Sequence, residues 1–166
     1  MSDVEFIQPP NNLRKAKIGH GPGKLDKTLL ANAEKAIEVF GEGFSDWIQD
    51  DINNMETARL CLSQGDNPER ALADLYRIAL DLKGQGASFG YDVVSAVGAS
   101  LTDFLEPIRD GNATLSQLHF DVVTAHVGAI RAVMSEGLKD GGGATGQALL
   151  NGLAQIVAKA HAAPGP

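Results

Sequence analysis

Four histidines and a single cysteine are the side chains of this protein best suited to nucleophilic, phosphoryl or metal chemistry, and their spacing narrows what they can do. His119 and His126 stand seven residues apart, about 10.5 Å along a helix axis. That is too far to share a metal ion as an i, i+4 pair would. Both fall within the broad apolar face of Leu115, Leu118, Val122, Ala129 and Val133, so both are expected to be boundary or core histidines with satisfied ring nitrogens. His20 lies in a glycine-rich stretch and His161 near the C-terminal tail, and surface positions are expected for both. Cys61 stands among helix residues and reads as a small packed side chain. One cysteine excludes an internal disulfide and a multi-cysteine metal site. No nucleophile–base pair and no metal cluster is legible, so neither a metal nor a cofactor is expected.

Three other patterns imitate sites. Gly19-His20-Gly21-Pro22-Gly23-Lys24-Leu25 is like a phosphate loop, but it lacks the first glycine at the required spacing. It also has Leu25 where Ser or Thr would hold magnesium, and no strand precedes it. Asn112-Ala113-Thr114 fits a glycosylation sequon, which has no role in a cytoplasmic protein. Asp50 and Asp51 read as part of a solvated acidic face.

The informative stretch is the helical segment from Pro68 to about Phe89. On a wheel of about 100° per residue, Ala71, Leu75, Ile78, Ala79, Leu82, Gly86 and Phe89 gather on one side as a core stripe. Ala73, Tyr76, Arg77, Leu80, Lys83, Gly84 and Ala87 gather on the other. Leu80 is therefore expected to face solvent, beside a tyrosine, two cations and three residues with little or no side chain. Gly84 in the middle of a helix costs about 1 kcal/mol relative to alanine, and such a glycine suits a backbone that something must approach closely. The partner-binding face expected here comprises Tyr76, Arg77, Leu80, Lys83, Gly84 and Ala87, flat and flanked by cations that suit an acidic partner surface.

The run Leu80-Asp81-Leu82-Lys83-Gly84-Gln85-Gly86-Ala87-Ser88-Phe89-Gly90 resembles the signature of histidine-containing phosphotransfer (Hpt) domains. That signature is His, any residue, a hydrophobic residue, Lys, Gly, then small residues and a closing Gly. Tyr91-Asp92-Val93-Val94 and Lys139-Asp140-Gly141-Gly142-Gly143 also look like a bacterial, free-standing branch of these proteins. The resemblance covers most of the chain, with one departure: the phosphoaccepting histidine falls at Leu80. The resemblance implies that Lys83, one turn on, offsets phosphate charge. It also implies that Gly84 leaves room for a receiver's active site to close over the acceptor. Phosphoryl transfer of this kind needs positioning and charge neutralisation around a nucleophilic nitrogen, and leucine has none.

The elements that must position this face are helical almost throughout. Leu25, Leu29, Ala33, Ala36 and Val39 recur at helix spacing up to Gly41, and a second segment starts near Phe44 and ends at Gly65-Asp66. Asn67 and Pro68 mark the clearest helix start. Further helices are expected from Tyr91 to Leu105, closed by Pro107, from Thr114 to about Glu136, and from about Thr145 to Ala160, the last after a flexible joint at Gly137 to Gly143. The expectation is an all-α protein: a four-helix up-and-down bundle of the Hpt type over residues 25–163, an extended basic arm at 1–24 carrying Arg14, Lys15 and Lys17, and a tail at 164–166.

At 166 residues this is one domain's length. The net charge of −7, from 14 basic and 21 acidic residues, argues against nucleic acid as the main partner. No apolar run reaches membrane-spanning length and the N-terminus lacks a signal-peptide core, so a cytoplasmic location is expected. The functional expectation is a two-component signalling protein that docks a response-regulator receiver domain or a histidine kinase without accepting phosphate. The alternatives are a structural helical homodimer that uses the Leu80 patch for self-association, and an active phosphotransfer protein working through His119 or His126.

Overall fold

The computed structural model describes residues 26–111 and 115–162, with backbone alone for 37–46. The arm at 1–24 with His20, the candidate cap Thr114 and the tail at 164–166 lie outside the described residues. The chain divides into two units, 1–36 and 37–166. In the first, the described residues from Lys27 are helical. The second carries the remainder of that helix, α1 (Lys27–Gln64), then α2 (Pro68–Gln85), a 3-10 turn (Gly86–Phe89), α3 (Asp92–Arg109), α4 (Gln117–Ser135), a second 3-10 turn (Asp140–Gly142) and α5 (Gly143–Ala162). Among the described residues every regular element is helical. No described helix is long and apolar enough to cross a membrane.

One helix spans Lys27–Gln64, where the glycine at 41 suggests a break. Glycine weakens a helix by about 1 kcal/mol but keeps both its N–H and its carbonyl, so the hydrogen-bond ladder runs through it. Pro107 likewise lies inside α3 instead of closing it. It removes one donor close to the helix end, and the Asp110 N–H still reaches the Glu106 carbonyl at 3.0 Å. Asn67 does precede α2, but in left-handed geometry and without a side-chain cap, while its carbonyl accepts the Ala71 N–H at 3.1 Å.

The core of the second unit is drawn from every helix. Ile48, Ile52, Met55 and Leu62 come from α1, and Leu75, Ile78, Ala79 and Leu82 from α2. Val94, Val97, Leu101 and Leu105 of α3 meet Val122, Val127, Ile130 and Val133 of α4, and Leu153 and Ala160 join from α5. Helix α2 packs closely along α3, and Gly98 makes it possible. A Cβ added at Gly98 would lie 2.7 Å from the Lys83 nitrogen and 2.8 Å from the Ala79 carbonyl oxygen. At such a crossing only a residue without a side chain fits.

The glycine-rich joint before α5 is seated rather than loose. Asp140, Gly141, Gly142 and Gly143 all have positive φ, which places the Asp140 N–H on the Gly90 carbonyl at 3.0 Å. The Lys139 ammonium lies 5.4 Å from the centroid of the Tyr91 ring. The two segments Tyr91–Val94 and Lys139–Gly143 are thus neighbours in space.

Candidate functional site

The two faces of α2 have opposite fates. Ala71, Leu75, Ile78, Ala79 and Leu82 are buried, each under 5 % exposed. Leu80, in the same helix, is 46 % exposed. Arg77, Lys83, Gly84 and Ala87 are also exposed, and Tyr76 is half-buried. Ala87 stands in the 3-10 turn, because α2 ends at Gln85 and the expected single helix to Phe89 tightens over its last four residues. Gly84 therefore occupies the last turn of α2 rather than its middle. No described atom lies within 4 Å of a Cβ added there, so no packing contact inside the described chain requires glycine at 84.

Helix α3 fixes the height and end of this face. The Ser95 hydroxyl donates to the Lys83 carbonyl, one of the last-turn carbonyls that lack an intrahelical partner. Three residues on, Gly98 lies against the Lys83 backbone nitrogen. Lys83 is therefore held at its backbone from beneath while its side chain extends over the surface.

The expected bare positive surface is instead a paired one. The Arg77 guanidinium is 3.3 Å from Asp81, one turn along α2. The Lys83 ammonium is 3.6 Å from Asp103 on α3. The Arg109 guanidinium lies 4.0 Å over the Tyr76 ring and 3.2 Å from Asp110. Exposed pairs of this kind stabilise by about 0–1 kcal/mol, so an incoming carboxylate or phosphate exchanges with Asp81 or Asp103 at little cost. The Arg77–Asp81 spacing was open to sequence reading as an i, i+4 pair. Asp103, Arg109 and Ser95 come from another helix and carry no local signal.

Asp51 departs from the solvated face expected of it. It is 7 % exposed, and its Oδ2 has no hydrogen-bond partner among the described residues. Burial pushes its carboxyl above the usual range; the nearby Arg77 pulls it down, and Asp81 and Asp50 push it up again. The folded state therefore holds the proton to higher pH than the unfolded chain. The stability of the neutral acid is fully present below the unfolded value near 3.9 and is lost as pH rises through the raised folded value. Asp51→Asn is expected to raise stability at neutral pH by about 1 kcal/mol, since an unsatisfied buried group costs about 1–3 kcal/mol and more when charged. Urea midpoints at neutral pH and near the unfolded carboxyl value check this, because the gain disappears on acidification.

The histidines pair with other groups. His126 is fully buried. Its Nδ1–H donates to the Val122 carbonyl at 2.8 Å, and Nε2 accepts from the Ser100 hydroxyl on α3 at 3.0 Å. This is a serine–histidine contact that sequence reading did not find, since 26 residues separate the two. The ring is held neutral by burial, and a main-chain carbonyl occupies the position of an orienting carboxylate. His119 is half-buried, with Nδ1 3.2 Å from the Ser116 amide and 2.6 Å from its hydroxyl. His161 is exposed, as expected. Neither His119 nor His126 stands exposed beside a cationic patch.

A cavity of about 390 Å³ opens between α1 and the first half of α2, lined by Ala58, Cys61, Arg70, Ala71, Asp74 and Ile78 among others. It shares only Arg77 with the Leu80 face. Cys61 is half-buried on its wall. Among the described residues no group of three or more His, Cys, Asp or Glu side chains could hold a metal ion. No family model, no curated protein and no solved structure matches this chain.

Proposed function

We propose that this protein is an Hpt-type signalling component, built on a four-helix up-and-down core, that docks a receiver domain or a histidine kinase through the outer face of α2 and accepts no phosphate. The observation that carries the reading is the exposed Leu80 standing one turn from an open Gly84, on a helix whose opposite face is fully buried. Lys83 and Arg77, held only by exchangeable surface pairs, supply charge to the same face. In an Hpt domain the group at position 80 is an outward imidazole. Here it is an aliphatic side chain with no lone pair, so docking proceeds without transfer, and the protein sequesters its partner or scaffolds a relay.

The test uses the full chain with a panel of purified receiver domains and histidine kinases. The native protein is expected to bind a member of the panel and to take no acid-labile label from a phosphorylated receiver or an active kinase. Leu80→His is expected to gain that label, because Lys83 and Gly84 already flank the position. Acid-labile phosphate on the native protein would overturn the reading, as would failure of every panel member to bind it.

A further inference from the structure

Where α3, α4 and α5 meet, two imidazoles flank one phenyl ring. Phe104 of α3 is 2 % exposed. The His119 ring of α4 lies with its centroid 5.5 Å from that of Phe104, tilted by 34°. The His161 ring, from the last turn of α5, lies 5.8 Å from it, tilted by 31°. Ala160, beside His161, is 6 % exposed, so the end of α5 is seated at this junction.

His119 is also part of a helix start. Ser116 is the N-cap of α4 and His119 is its third helical residue. The Ser116 amide donates to Nδ1 of His119 at 3.2 Å. In a capping box, Glu or Gln ordinarily accepts that bond. Imidazole does so only while Nδ1 keeps its lone pair. Once Nδ1 is protonated, the Ser116 hydroxyl at 2.6 Å can turn to accept from it, but the Ser116 amide faces a donor. A cation at a helix N-terminus is also opposed by the helix dipole.

We propose that His119 is a proton-operated cap at the start of α4, closed on Ser116 while its ring is neutral. Protonation at Nδ1 opens it and loosens the first turn of α4. Burial, and then the neighbouring His161, hold the His119 pKa below the ordinary imidazole value. The charged groups around the ring are few. From α5 the titratable neighbours are His161 and, two residues away, the exposed Lys159. On α3, Asp103 is turned to Lys83, Arg109 to Tyr76 and Asp110, and Glu106 is exposed. On α4 itself, Asp121 accepts from Gln117 at 3.1 Å. None of these is a carboxylate paired with the His119 ring, so a positive charge on it has no counter-ion there among the described residues.

Amide hydrogen exchange of the full chain, corrected for intrinsic rates, tests this between about pH 7.5 and about pH 5, either side of the imidazole value near 6.5. In the native protein, protection in residues 117–121 is expected to fall at least about tenfold on acidification while α2 stays protected. His119→Gln keeps a neutral acceptor at the cap and should remove the pH dependence in that segment. The proposal is overturned if protection in 117–121 is independent of pH, or if it falls only together with α2. It is equally overturned if His119→Gln loosens the segment on acidification as the native protein does.

Discussion

Gly98→Ala is expected to lower stability by about 1–2 kcal/mol and to separate α2 from α3 by a few tenths of an ångström. Two effects oppose each other. Alanine is favoured over glycine in a helix by about 1 kcal/mol. Against this, the new methyl would stand 2.7 Å from the Lys83 nitrogen and 2.8 Å from the Ala79 oxygen. Both are main-chain atoms, so no rotamer change relieves the contact, and overpacking of this kind costs about 1–3 kcal/mol or more. The helices must move apart, which loosens the layer formed by Ala79, Leu82 and Val97 and lengthens the Ser95–Lys83 bond that fixes the end of α2. Gly84→Ala is the matched control. It adds the same methyl where no described atom lies within 4 Å, so it should be neutral or stabilise by up to about 1 kcal/mol. Denaturant unfolding of the two variants gives opposite signs. If both shift the midpoint alike, backbone contact at Gly98 is not what joins the two helices.

His126→Ala is expected to lose about 3 kcal/mol at neutral pH, a fall in Tm of roughly 10 °C for a domain of this size. The substitution leaves a cavity at a site with no solvent exposure and strands the Ser100 hydroxyl that bonds Nε2. Both effects have the same sign. The loss depends on pH. Burial holds the His126 pKa below its unfolded value, with the Val122 carbonyl pulling partly the other way. Below about pH 6.5 the unfolded chain takes a proton that the folded chain refuses. The native protein therefore has its full stability above that pH and loses it as pH falls toward the folded pKa. The alanine variant has no such proton to refuse at this position, so the gap between the two proteins should narrow on acidification. Thermal unfolding at several pH values checks this; a constant gap would mean that His126 titrates alike in both states.

Legibility followed the range of the interaction. The split of α2 into a buried and an outer stripe was readable because it follows from a period of 3.6 residues within one helix. Leu80, Lys83 and Gly84 sit on the outer stripe by that arithmetic alone. The ends of elements were harder. A glycine at 41 and a proline at 107 look like punctuation, yet one preserves the hydrogen-bond ladder and the other removes a single donor near a terminus. The three-glycine joint looked slack, and its positive φ values instead close it on Gly90.

What the amino-acid order determined by itself was the helical character of the chain, the direction of each residue around its helix axis, and the absence of an imidazole from the outer stripe of α2. Tertiary structure alone decided which surfaces meet. It put Asp103 beside Lys83, Arg109 over Tyr76, Ser100 on His126 and two histidines on Phe104. The burial of Asp51 was legible in part, since it stands three residues after Ile48 and four before Met55 on the buried stripe of α1. The reason is physical. Helix periodicity is a property of neighbours three and four residues apart, whereas the charge state and hydrogen bonding of a side chain depend on residues brought against it from other helices.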